Sequence, residues 1–376
     1  MSAQCTTLPR PLAVRASRPD LFRPMSNPER IELPPRDIAI VMLSALGDAV
    51  HVLPVANALR RAWPDTRITW IIQPVAHGLV KDHPAIDEFI VFRRRRGAAA
   101  WRSYSELGRA LVGRRFDLLL ALQVYLKAGL ITAQAPAKVK LGFDRARARD
   151  LNWAFTTHRI PPRPVGHVQD QYFEFLHYLG VDPEPIEWRI EPTTEERAAQ
   201  AAFFERIDRP VCTFIVATSK PAKNWAPEHY ARVIDAVEAD FGMRAVIAGG
   251  PSAAEAEAAA RITSLCARTP LDARANDVRR LVWLLGGSAL VVSPDTGPLH
   301  LARALDVPVV GLYGYTNPKR YGPYRKFEDL VVDGYARSPG EDYVPSMQHR
   351  ADGMQRVTVE QVLEKIERAL AAKREG

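Results

Sequence analysis

The stretch "DIAIVMLSALGDAVHVLPVANALRRAW" (residues 37–63) decides how this chain is read. It opens with an apolar run, breaks over "SALGDA" (44–49), and continues with apolar residues at helical spacing as far as Trp63. A short apolar run that passes at once into a helix is the strand–helix junction of a parallel α/β sheet. A nucleotide-binding junction would carry a glycine-rich phosphate loop, but neither G-x-G-x-x-G nor G-x-x-x-x-G-K-[ST] occurs in the chain. The break holds a carboxylate instead, Asp48.

The alternation persists outward from that junction. "RITWIIQ" (67–73), "EFIVF" (88–92), "DLLLAL" (117–122) and "KVKLGF" (138–143) read as strands. "YSELGRALVG" (104–113) and "VQDQYFEFLHYLG" (168–180) read as helices. "VDPEPIEWRIEPTTEE" (181–196) is rich in Pro and polar residues and reads as an interdomain linker. The pattern then restarts, with strands at 210–218, 243–250, 289–293 and 308–314 and helices at 226–242, 253–265, 277–288 and 298–305. The last helix, "TVEQVLEKIERALAAK" (358–373), opens with Thr358 and Gln361 in capping-box spacing. Val359, Val362, Leu363, Ile366 and Leu370 give it one apolar stripe. Two tandem βαβ domains follow, and 376 residues suffice for two domains of about 150–200 residues each. Ligands in such sheets lie beyond the carboxyl ends of the strands, so the loops after strands are where chemistry is expected.

Composition narrows the class. No apolar run approaches the roughly 20 residues of a membrane helix. Residues 1–35 lack a signal peptide's apolar stretch, carry several Pro and Arg, and read as a disordered basic arm. A transit peptide is the alternative. Three widely spaced cysteines, Cys5, Cys212 and Cys266, oppose a disulfide framework and fit a reducing cytoplasm. The nine histidines form no HExxH or Cys/His ligand pattern, so no metal is expected. A net charge of +8 implies an anionic partner. The densest basic cluster, "FRRRRGAAAWR" (92–102), sits in no recognised nucleic-acid module and has no interleaved aromatics. It reads either as a solvated loop or as a contact to an anionic glycolipid or membrane surface.

Four loops stand out. Asp48 has two readings: a helix-capping Asp, or a carboxylate that the helix N-terminus keeps ionised and that accepts a proton from an attacking hydroxyl. In "SPDTGPLH" (293–300), Asp295, Thr296 and Gly297 lie between a strand and a helix with Pro298 near its start. The backbone amides there form an anion site suited to a diphosphate. Gly297 is expected to let a ligand approach the backbone, and His300 lies one turn into the helix. In "ATSKPAKNW" (217–225), Thr218 and Ser219 offer hydroxyls and Lys220 and Lys223 offer charge. In "AGGPSAAEAE" (248–257), Glu255 is either a ribose acceptor or a surface helix residue.

Together these loops resemble those of the bacterial ADP-heptose:lipopolysaccharide heptosyltransferases, glycosyltransferase family 9. The resemblance rests on "IVMLSALGDAVHVLPVANALRRAWPDTRITWIIQP", "GFDRARARDLNW", "ATSKPAKNWAPEHYARV" and "SPDTGPLHLARALDVPVVGLYGYTNPKRYGPY", in that order, over roughly residues 36–372. It implies GT-B architecture: an acceptor-side Rossmann-like domain (36–185) and a nucleotide-sugar domain (186–357) facing each other across a cleft. A final helix (358–376) is then expected to cross back to the first domain. It also implies inverting, metal-independent transfer of heptose from ADP-heptose to a lipopolysaccharide core, with no cofactor, by a cytoplasmic enzyme at the inner face of the inner membrane. Asp48 matches the general base, and Lys223 the lysine that neutralises the departing diphosphate. Thr218, Ser219, Asp295, Thr296, Gly297 and His300 match donor-binding positions, and Glu255 is the nearest match to the ribose-binding acid. The expected partners are a nucleotide sugar, an anionic glycolipid acceptor and a membrane surface, not nucleic acid. Gln73 stands where relatives often carry Glu, Tyr315 where many have a smaller residue, and 329–357 lacks a cysteine common in the family. Two alternatives are transfer of another activated sugar to a different cell-surface glycan, and nucleotide-sugar binding without catalysis.

Overall fold

The computed structural model describes residues 31–375. Most of the expected basic arm lies outside the described residues. The first sheet contains β1 (Asp37–Val41), β2 (Arg67–Ile72), β3 (Glu88–Val91), β4 (Phe116–Ala121), β5 (Ala137–Gly142) and β6 (His158–Arg159), in the order β3-β2-β1-β4-β5-β6. The second contains β7 (Val211–Ile215), β8 (Arg244–Ala248), β9 (Leu271–Asp272), β10 (Leu290–Pro294), β11 (Val309–Tyr313) and β12 (Val331–Asp333), in the order β12-β11-β10-β7-β8-β9. Every pairing is parallel.

The two sheets have one topology. Each begins in the middle, adds two strands to one side, then crosses over to the other side of its first strand. This is the doubly wound Rossmann order, which opens a crevice where the strand order reverses. The crevices lie between β1 and β4 and between β7 and β10. Both sheets belong to one compact unit that begins at Leu33.

The helices are α1 (Leu46–Ala62), α2 (Pro74–Val80), α3 (Ala100–Leu111), α4 (Leu126–Gln134), α5 (Val168–Tyr178) and α6 (Thr194–Phe204), followed by α7 (Pro227–Ala239), α8 (Ala253–Leu265), α9 (Arg279–Gly286), α10 (Gly297–Ala304), α11 (Pro318–Tyr321) and α12 (Val359–Glu375). β1 and β7 are buried almost end to end, as strands covered by helices on both faces must be. α1 is buried all round from Ala49 to Leu59, because it touches both α5 and α10 as well as its own sheet. That explains why "AVHVLPVANAL" has no polar stripe. α7 is followed by Gly242, whose φ of +62° suits glycine in the turn into β8.

Three expectations need correction. α1 begins at Leu46, three residues earlier than its apolar spacing suggests. α2 and α4 are absent from the sequence reading; α4 carries Gly129 and Thr132, poor helix formers. Gly129 is needed there because a Cβ would lie 2.5 Å from the Phe155 ring. Finally, α12 does not cross back. Val359, Val362, Ile366 and Ala369 join the core of the second sheet, with Phe214, Tyr230 and Val332. Its capping box forms as expected: Gln361 Oε1 accepts from the Thr358 amide at 3.0 Å, and Thr358 Oγ1 from the Gln361 amide at 3.2 Å.

Candidate active site

A cleft of about 490 Å³ lies where the two crevices face each other. The loop after β1 and the loop after β4 line one side, and the loops after β7 and β10 line the other. Asp48, Thr218, Ser219, Lys223, Asp295, Thr296, Gly297 and His300 all reach it. Glu255 does not. Ser252 caps α8, and Glu255 closes that local turn, accepting from the Gly250 amide at 2.8 Å and from Ser252 Oγ at 2.6 Å.

Asp48 is half-buried on the cleft wall. It is not the N-cap residue, which is Ala45. It occupies the third helical position, and its Oδ2 accepts from the Ala45 amide at 2.8 Å. Alanine has no side chain to cap with, so Asp48 reaches back to do that work. Tyr172, from α5, donates to Oδ1 over a long 3.4 Å. Lys127 and His300 act on Asp48 only through space. Lys127 Nζ donates to Ser44 Oγ at 3.0 Å, and Gln123 braces the same loop through Leu43 N and Ser44 O. Burial pushes the Asp48 carboxyl above its ordinary range, against the opposing pull of the Ala45 amide, His300, Tyr172 and Lys127. The helix terminus alone is expected to keep the group ionised; loss of water works in the other direction and wins.

Asp295 is buried, yet its electrostatic state is opposite. Its Oδ2 accepts from Lys223 Nζ at 2.6 Å and from Thr316 Oγ1 at 2.6 Å. Lys223 also donates to the Asp295 backbone carbonyl at 3.1 Å, and His300 Nε2 lies 3.5 Å from Oδ1. Burial would raise this carboxyl, but His300 and Lys223 outweigh it and hold it well below the carboxylate range. The pair is thus a paired, hydrogen-bonded ion pair, the only kind that a low-dielectric interior tolerates. Thr296 is the N-cap of α10. The first amides of that helix have no intrahelical partner and aim their dipoles at the cleft end.

The two helix N-termini meet directly. A Cβ on Gly297 would lie 2.8 Å from Leu46 Cβ, and one on Gly47 would lie 2.8 Å from His300 Cδ2. Gly297 therefore packs against α1 instead of merely leaving space for a ligand. This contact seats Asp48 and Asp295 on neighbouring walls of one cleft.

Several site residues escaped the sequence reading. Thr316 follows β11 and reaches Asp295 from 21 positions away. His51, Tyr172, Lys127, Arg149 and Arg320 also line the cleft. Thr218 is in place, but its hydroxyl is occupied within its own loop, donating to Asn224 Oδ1 at 2.9 Å. Tyr315 stacks on His349 with ring centroids 4.6 Å apart. In the basic cluster, Arg93, Arg94 and Arg96 are exposed, whereas Arg95 pairs with Glu106 at 2.6 Å. Cys212 and Cys266 are free. Among the described residues no group of His, Cys, Asp and Glu is placed to hold a metal ion, and no helix is long and apolar enough to cross a membrane.

Comparisons with known proteins bear on the family and the fold. The family model described as glycosyltransferase family 9 (heptosyltransferase) matches residues 104–349. The lipopolysaccharide core heptosyltransferase OpsX of Haemophilus influenzae is 31% identical over 298 residues, covering 79% of this chain and 84% of that protein. The crystal structure of a family 9 glycosyl transferase from Veillonella parvula superposes with a TM-score of 0.76 at 24% identity, over 90% of this chain and 98% of that one. The E. coli heptosyltransferase WaaC, solved with ADP, gives 0.69 at 24% identity, over 89% and 99%. The fold is GT-B, as these two structures are.

Proposed function

The chain belongs to glycosyltransferase family 9, the heptosyltransferases, and from that premise we propose that it transfers heptose from ADP-heptose to a lipopolysaccharide core acceptor by a single inverting displacement. The observation that carries this reading is the opposition across one cleft: a carboxylate without an ion-pair partner among the described residues, Asp48, faces a cationic end built from Lys223 and the N-terminus of α10.

The acceptor hydroxyl approaches the anomeric carbon from the Asp48 side. Asp48 takes its proton as the new C–O bond forms. A raised carboxyl pKa makes it a better proton acceptor than an ordinary Asp. The bond from the anomeric carbon to the diphosphate breaks on the opposite face, which inverts the centre. The departing ADP gains charge beside Lys223 and the α10 amides, which stabilise it without a metal ion. Lys223 must then share its charge between Asp295 and the diphosphate, so Asp295 and Thr316 hold the ammonium in position.

The acceptor is anionic in this reading. Lys127 and Arg149 line the cleft on the first-sheet side, and Arg94 is close enough to Lys127 to lower its pKa, after burial. Arg93, Arg94 and Arg96 extend that charge along the carboxyl edge of the sheet. They give a cytoplasmic enzyme a means of resting on an anionic membrane surface. Mass spectrometry of products from purified protein, a truncated core acceptor and a panel of nucleotide sugars tests the proposal. A heptose added only from ADP-heptose supports it. Transfer of a different sugar, or donor binding without transfer or hydrolysis, contradicts it.

A further inference from the structure

His51 lies one turn after Asp48 on α1 and lines the same cleft, yet it is only 4% exposed. Gln169, from α5, grips it twice. Gln169 Nε2 donates to the His51 backbone carbonyl at 2.8 Å, and Gln169 Oε1 lies 2.8 Å from His51 Nδ1. Reversing the amide would set oxygen against carbonyl oxygen, so the network admits one orientation. Nδ1 is therefore the donor, and in the neutral ring Nε2 carries a lone pair. Burial and the neighbouring His300 and His167 keep the ring neutral, holding it well below the ordinary histidine range. His300, from α10, covers the ring at 4.5 Å between centroids, tilted by 58°. Nε2 has no hydrogen-bond partner among the described residues.

A buried acceptor without a partner costs stability. Here that cost falls on the residue next to Asp48 at the contact between the two domains. A phosphate oxygen would be repelled by the lone pair, so the diphosphate is not its ligand. A hydroxyl fits. We propose that His51 Nε2, fixed as an acceptor by Gln169, receives a sugar hydroxyl where α1 and α10 meet. The proposal rests on the sugar-transfer reading of this cleft. The hydroxyl comes either from the transferred sugar or from the acceptor sugar.

The test compares wild type, His51→Phe, His51→Gln and Gln169→Leu. Calorimetry measures binding of ADP and of ADP-heptose, and transfer kinetics give the acceptor KM. In His51→Phe, ADP affinity is expected to stay within about twofold, while one sugar-dependent quantity weakens roughly 3- to 10-fold. Weaker ADP-heptose binding identifies a donor hydroxyl; a raised acceptor KM identifies an acceptor hydroxyl. His51→Gln, which returns an acceptor oxygen, recovers most of the loss. A deoxy analogue lacking the contacted hydroxyl binds wild type and His51→Phe alike. Gln169→Leu frees the tautomer and shows a smaller loss of the same kind, so it decides the matter if His51→Phe fails to fold. Equal weakening of ADP and ADP-heptose, or no change in any quantity, overturns the proposal. If wild type transfers no heptose, the functional reading fails, and the sugar-against-nucleotide comparison, run with other nucleotide sugars, still decides the role of His51.

Discussion

Asp48 and Asp295 stand at matching crevices of two sheets with one topology, Asp48 after the first strand of its sheet and Asp295 after the crossover strand of the other, and their surroundings drive them apart. Each follows the first strand at a crevice edge or its crossover partner and sits at the start of a helix. The loop opposite Asp295 brings Lys223 onto its carboxylate. The loop opposite Asp48 brings Lys127 only as far as Ser44. One carboxyl is therefore pushed up by burial, and the other is held down by cations. The fold fixes where a carboxylate stands; the neighbouring loop decides whether it can take up a proton.

The comparison can be broken from either side. The largest effect is expected from Asp48→Asn, which keeps the shape and removes the base. Transfer should fall by about 10²–10⁴-fold, while donor affinity measured by calorimetry changes by no more than about twofold. Next is Lys223→Met. It removes the cation from the leaving group and leaves Asp295 with His300 and Thr316 alone, so kcat should fall by about 10²–10³-fold. Gly297→Ala attacks the contact between the two junctions. With a Cβ 2.8 Å from Leu46, overpacking should cost about 1–3 kcal/mol, read as a lower thermal midpoint together with slower transfer. An unchanged midpoint would show that α1 and α10 are not pressed together in solution.

Tyr172→Phe is the gentlest probe. The Tyr172 hydroxyl stabilises the ionised form of Asp48, so removing it raises that pKa further. Because the base must be ionised, the acid limb of kcat/KM should move to higher pH, with the plateau rate little changed. A limb that stays in place would separate Tyr172 from the base.

Much of this was legible in the sequence, because strands buried on both faces are apolar runs and the residues after them are loops. Asp48, Lys223, Asp295, Thr296, Gly297 and His300 stand out that way, and all of them line the cleft. What the sequence could not show depends on contacts between distant segments. Gln169 meets His51 across 118 positions, and Thr316 meets Asp295 across 21. The role of Gly297 is visible only once Leu46 of the other domain lies against it. Glu255 stays away from the cleft lining for a local reason: Ser252, three residues earlier, and the Gly250 amide both donate to it. The α12 stripe was read correctly, but a stripe does not name its partner, and the core of the second sheet claimed it.

These two carboxylates differ in electrostatic state. Carbon-13 NMR titration of the aspartate carboxyls tests that difference most directly, with Asp48→Asn and Asp295→Asn assigning the two signals. The Asp48 signal is expected to titrate above the ordinary carboxylate range. The Asp295 signal is expected to stay ionised down to the lowest pH at which the protein remains folded. Titration of both signals at the same ordinary pH would contradict both expectations.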